Sequence, residues 1–146
     1  MYQHILIATD GSELAQKGVA HGLSLAKSLG ARVTFVTVTE PFPVYAGDGW
    51  AFGAEDIDRY DADQQKFAQD IFDALKEPAD KTGVTYATRH VPGRRPAEAI
   101  LEVAAEDGCS LIVMTSHGRR GLGRLLLGSQ TSEVVSHSPV PVLVVR

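Results

Sequence analysis

Five short apolar runs alternate along this chain with segments of helical periodicity, and that alternation constrains the fold more than any other feature. Residues 4–9 and 32–39 read as the first two strands, Val84 to Val91 as the third, Leu111-Ile112-Val113-Met114 as the fourth and Val140 to Val145 as the fifth. Between the first two, Ala15, Val19, Gly22, Ala26 and Leu29 recur at helical spacing, and Gly30 stands where that helix would end. The small residues Ala15, Gly18 and Gly22 suggest that it lies close to the sheet. A long helix over about residues 58–82 carries Phe67, Ile71, Ala74 and Leu75 on one face and stops at Gly83. Pro78 is expected to kink or split it, because a proline inside a helix costs roughly 3 kcal/mol. Pro96 then opens a helix burying Ile100, Val103 and Ala104 ahead of Gly108, and a last helix runs from Ser129 to about Ser138. Parallel strands need crossover connections, and these are right-handed. The pattern therefore predicts an α/β fold, a doubly wound five-stranded parallel sheet with helices on both faces.

With 146 residues, 44% of them hydrophobic, the chain suits one domain over residues 1–146, needing neither disulfide nor metal to fold. Cys109 is the only cysteine and reads as a small buried hydrophobe, which suits a reducing compartment. No run approaches the roughly 20 apolar residues of a membrane span, and the first strand begins without a basic leader or signal segment. A cytoplasmic location without a membrane partner is the expectation. A net charge of −4 with no concentrated basic run argues against a nucleic-acid partner.

The stretch from Ser116 to Ser129, Ser-His-Gly-Arg-Arg-Gly-Leu-Gly-Arg-Leu-Leu-Leu-Gly-Ser, lies between the fourth strand and the last helix. Glycine-rich turns at such a junction are where α/β proteins hold phosphates, since free backbone N–H groups and the positive helix end face an anion there. Arg119, Arg120 and Arg124 add positive charge. The stretch is not a P-loop, as no Gly-Lys-Ser or Gly-Lys-Thr follows it, and Gly118, Gly121 and Gly123 run opposite to the dinucleotide fingerprint.

Ser116-His117-Gly118, nine residues and then Gly128-Ser129 resemble the nucleotide-binding signature of the universal stress protein family. Ile5-Leu6-Ile7-Ala8-Thr9-Asp10-Gly11-Ser12 is similar to that family's opening strand and turn, and Pro139-Val140-Pro141-Val142-Leu143-Val144-Val145 to its closing strand, so the likeness spans essentially the whole chain. The nucleotide-binding branch carries G-x-x-G, nine residues, then G followed by Ser or Thr. Gly118, Gly128 and Ser129 match, whereas Thr115 replaces the first glycine and sets a side chain where the family's backbone passes close to phosphate. The resemblance implies the strand order 3-2-1-4-5, an adenine nucleotide α-hydrolase-like fold, and ATP, ADP or AMP as ligand, with any Mg2+ carried by the nucleotide. Ligands in such sheets sit beyond the strand ends where the order reverses, here between strands one and four. Asp10 would accept from the ribose, adenine would lie near Val38, and phosphates would meet Gly118, Gly128, Ser129 and the N–H of Gln130. Ala8, Thr9, Met114, Thr115, Ser116, His117, Arg119 and Thr131 complete the implied site.

Two of these positions carry a second meaning. Asp10-Gly11-Ser12 also reads as a tight turn capping the first helix, and the Ser129 hydroxyl either caps its own helix or binds phosphate. His117 lacks a placed carboxylate or serine partner in the sequence, no metal-ligand spacing is present, and no lysine lies in the glycine stretch, so a catalytic role is not expected. The expectation is a dimeric stress-response or signalling module that binds nucleotide; the alternatives are a slow ATPase and a dimeric scaffold without nucleotide. The fifth strand, Val140 to Val145, would be an open edge able to pair with its copy in a homodimer. Glu40 to Tyr60 reads as a long loop, either a lid or dimer contact anchored by Trp50 or a mobile surface segment.

Overall fold

The computed structural model describes residues 1–43, 53–118 and 127–146. These form strands β1 (His4–Ala8), β2 (Arg32–Thr39), β3 (Tyr86–Pro92), β4 (Leu111–Thr115) and β5 (Val142–Val145), and helices α1 (Glu13–Leu29), α2 (Ala54–Thr82), α3 (Pro96–Glu106) and α4 (Ser129–His137). All pairings are parallel and the sheet order is β3-β2-β1-β4-β5, as the sequence implies. β1 is central, and His4 through Ile7 are all buried, as expected of a strand covered on both faces.

Alternation along the strands divides the core in two. On one face Ile5, Ile7, Val33, Phe35 and Val113 meet Val19, Leu23 and Ala26 of α1 and Ile71, Leu75 and Ala79 of α2. On the other, Leu6, Val36, Ile112 and Met114 meet Ala97, Ile100 and Val103 of α3 and Val134 of α4. Gly22 lets α1 approach the sheet: a Cβ there would fall inside van der Waals contact with Ile7.

Several boundaries differ from expectation for identifiable reasons. α2 begins at Ala54 rather than near residue 58, because the Asp56 carboxylate reaches back to accept from the Gly53 N–H at 3.1 Å. The stretch expected to be a loop thus gives up residues 54–60 to helix, while Tyr45 and Trp50 lie outside the described residues. Pro78 does not split α2. It sits between the buried Leu75 and Ala79, whose packing on the sheet holds the helix through the missing hydrogen bond. β3 begins two residues later than expected, at Tyr86, and ends one later, at Pro92, a proline that an edge strand tolerates.

Candidate functional site

The order β3-β2-β1-β4-β5 reverses between β1 and β4, so the carboxyl ends of these two strands flank one crevice. After β1 the chain turns sharply into α1. Gly11 adopts φ of 77°, Asp10 Oδ1 accepts from the Ser12 N–H at 2.9 Å, and Ser12 Oγ accepts from Ala15 N–H at 3.2 Å. Asp10 therefore shapes the turn and Ser12 caps the helix. The second carboxylate oxygen of Asp10 faces β4's exit: a Cβ on Gly118 would lie 3.0 Å from Asp10 Oδ2. Thr9 is buried, and its carbonyl accepts from Thr37 Oγ1 at 2.9 Å, which fixes the end of β1 to β2.

Beyond β4, the first turn of α4 is tied down by neutral groups. The Gly128 N–H donates to the Ser116 carbonyl at 2.7 Å, and Thr131 Oγ1 donates to the Thr115 carbonyl at 2.9 Å. Gly128, not Ser129, holds the capping position, with φ −58° and ψ 155°, and no side chain caps the helix. The first intrahelical bond runs from Ser132 N–H to the Gly128 carbonyl, leaving the N–H groups of Ser129, Gln130 and Thr131 without an acceptor among the described residues. That is the donor set an anion requires, at the positive end of a helix.

Other implied site residues contribute less than their side chains suggest. Met114 is buried in the core with Leu6, Val36 and Val134, with Ala8 and Val38 packed against the same cluster. Thr131 spends its hydroxyl on β4, so only its N–H faces an incoming group. Thr115, which stands where the family signature has its first glycine, donates its hydroxyl to the His117 carbonyl at 2.8 Å, and its methyl fills the space above Gly18, where a Cβ would come within 2.9 Å. The side chain faces α1, away from α4. His117 Nδ1 lies 3.1 Å from Ser116 Oγ, while its Nε2 is buried with no hydrogen-bond partner among the described residues. Arg119 lies outside the described residues.

Two features were not legible in the chain. Gly18 matters as the partner of Thr115, a relation visible only once helix and sheet meet. The Gln130 side chain turns away from the crevice, and its Oε1 accepts from the Ala97 N–H of α3 at 3.0 Å. The one available signal was Arg95 ahead of Pro96, a capping position whose side chain has no acceptor. Among the described residues no three His, Cys, Asp or Glu side chains come together to hold a metal ion. A groove of about 560 Å³ opens between α1 and α2 and reaches the β1–α1 turn, with Thr9, Gly11, Gln16, Phe67, Asp70 and Pro78 in its lining. Asp70 is the charged group in that lining, so it does not suit an anion.

A doubly wound parallel sheet in the order β3-β2-β1-β4-β5, with a glycine-bearing turn and a helix N-terminus beyond its switch point, defines the class of protein. The universal stress protein family model matches residues 1–146, and the chain belongs to that family. It is 37% identical over 146 residues to a universal stress protein of Thermus aquaticus, encoded in the QAH/OAS sulfhydrylase 3' region, with both chains covered in full. Among solved structures, hypothetical protein MJ0577 superposes with a TM-score of 0.82 at 27% identity, over 99% of this chain and 96% of that one. A universal stress protein in complex with cAMP (TM-score 0.68, 24% identity, 99% and 96% coverage) shares the fold. So does one from Archaeoglobus fulgidus in complex with dAMP (TM-score 0.60, 20% identity, 99% and 98% coverage).

Proposed function

We propose that this chain binds an adenine nucleotide in the crevice between β1 and β4, and serves as a dimeric, cytoplasmic stress-response module whose occupancy alters its dimer or its affinity for a partner. What carries this assignment is the meeting of Asp10, Gly118 and the uncapped first turn of α4 at one switch point. Asp10 offers a carboxylate oxygen to a ribose, Ala8 and Val38 offer apolar surface to adenine, and the N–H groups of Ser129, Gln130 and Thr131 offer donors to phosphate. The relatives that hold cAMP and dAMP support the choice of an adenine nucleotide. ATP, ADP and AMP all fit this scheme, and Mg2+ would arrive with the phosphates rather than in a protein cage. Among the described residues the His117 side chain meets Ser116 Oγ, and the proposal stops at binding. No helix among the described residues is long and apolar enough to cross a membrane.

The discriminating variant is Gly118→Ala. Its added methyl would press on Asp10 Oδ2, so ATP affinity should fall about ten-fold or more, while stability drops by no more than about 1–2 kcal/mol. Gly128→Val is a poorer probe, since a Cβ there would sit 3.2 Å from the Ser116 carbonyl and strain the fold itself. Equal affinities in titrations of wild type and Gly118→Ala would remove Asp10 and Gly118 from the site.

A further inference from the structure

Given the nucleotide assignment above, on which this inference rests, we propose that Gln130 is a positioning residue: it caps α3 with a neutral amide and so holds the phosphate-binding turn of α4 in place without adding negative charge. α3 cannot cap itself. Arg95 occupies its capping position and makes no side-chain cap bond, and Pro96 has no N–H. Ala97 is wholly buried and its N–H would be left unpaired there, at the usual penalty for a buried orphan donor. Gln130 Oε1 supplies the acceptor from α4, 33 residues away in sequence, and an N–H donor on the other side fixes the amide orientation.

The geometry gives this contact a consequence for the crevice. α3 is firmly seated through Ala97, Ile100 and Val103, so a bond from Gln130 transfers its rigidity to the first turn of α4. Gly128 and Thr131 fix that turn from β4's side, and Gln130 fixes it from the other. All three ties are neutral. Caps at helix N-termini are commonly Asp, Ser, Thr or Asn, and a carboxylate at this point would stand beside two positive helix ends, one of which an anion needs. Glu98 in the first turn of α3 and Glu133 of α4 both pair with Arg95.

Two substitutions separate positioning from simple stabilisation. Gln130→Met keeps the shape but removes the acceptor; amide exchange at Ala97 should accelerate and ATP affinity should fall about five-fold, the worth of one backbone hydrogen bond. Gln130→Glu keeps the acceptor and the cap, so thermal stability should hold or rise, yet ATP affinity should fall about ten-fold, AMP less, and adenosine not at all. A merely structural cap would predict unchanged ATP affinity in the folded Met variant, which would overturn the positioning role; the Glu variant tests the need for a neutral cap. Calorimetric titration of both full-length variants and wild type with ATP, AMP and adenosine decides the matter. Wild-type ATP affinity in the Glu variant, or an adenosine loss equal to the ATP loss, overturns the inference while the nucleotide assignment stands. Absence of ATP binding by wild type removes the assignment and this inference with it.

Discussion

Thr115 and Gly18 occupy one volume between β4 and α1, and neither residue makes sense without the other. A Cβ on Gly18 would lie 2.9 Å from the Thr115 methyl, whose rotamer is held by the hydroxyl bond to His117. Gly18→Ala should therefore cost about 1–3 kcal/mol by overpacking, and Thr115→Ser should cost about 1 kcal/mol by emptying the same space. The double variant should recover about 1–2 kcal/mol relative to the sum, a coupling that a denaturant-melt double-mutant cycle measures. Because the side chain faces away from α4, Thr115→Ser should leave ATP affinity within about two-fold. At the other end of β1, Thr34 Oγ1 donates to Asp107 and accepts from His4 Nε2, so the unprotonated His4 Nδ1 is the atom buried without a partner among the described residues. Burial, with the Arg32 charge adding to it, holds His4 below the usual histidine pKa, and burial does the same at His90. The unfolded chain then takes up protons first as pH falls. Stability should be full above about pH 6.5 and decline below it, by at most about 1.4 kcal/mol per pH unit for each group. His4→Gln should flatten the dependence of the melting temperature between pH 7.5 and 5; an unchanged slope would show that His4 does not carry it.

At the scale of elements, glycine and proline punctuation located every helix, yet it misplaced the details that tertiary contact decides. Gly30 and Gly83 end α1 and α2 in the left-handed conformation, with φ of 66° and 72°, as their positions in the sequence suggest. The first turn of α2 was hidden because Ala54-Glu55-Asp56-Ile57 shows no apolar periodicity, and its start rests on Asp56 reaching back to Gly53. Pro78, a defect legible in the sequence as a kink or a split, leaves α2 unsplit because its buried neighbours Leu75 and Ala79 hold the helix on the sheet, a contact that no local pattern shows. A proline tolerated in this way leaves stability to be regained. Pro78→Ala should raise it by about 1–2 kcal/mol, the helical gain less the entropy that proline removes from the unfolded chain. A lower denaturation midpoint would mean that the ring's contacts in the α1–α2 groove outweigh the lost hydrogen bond. The tie from Gln130 to α3 was illegible for a different reason, as it joins residues 33 positions apart through a side chain with no local role.

For the whole molecule, strand alternation was enough to read a parallel α/β sheet, while its order, and with it the one switch point between β1 and β4, came from the family resemblance and is the order observed. Neither was enough to assign side chains, since the directions of Met114, Thr115 and Thr131 depend on strand register and on α4's orientation. The expected homodimer also belongs to this scale. β5 pairs only with β4 among the described residues, and Leu143 is 36% exposed on that edge. Val142 packs against the core, so lysine there would damage the fold, and Leu143→Lys is the cleaner probe. If two copies pair along β5, wild type should sediment as a dimer at micromolar concentration and Leu143→Lys as a folded monomer; a dimeric lysine variant would place the interface elsewhere. The central claim concerns the crevice itself. Calorimetric titration of the folded wild type with ATP, ADP and AMP at up to millimolar concentration tests it most directly. Saturable binding of at least one nucleotide, with one site per chain, is the predicted result; no heat with any of the three at several temperatures would contradict the account and leave a scaffold without nucleotide.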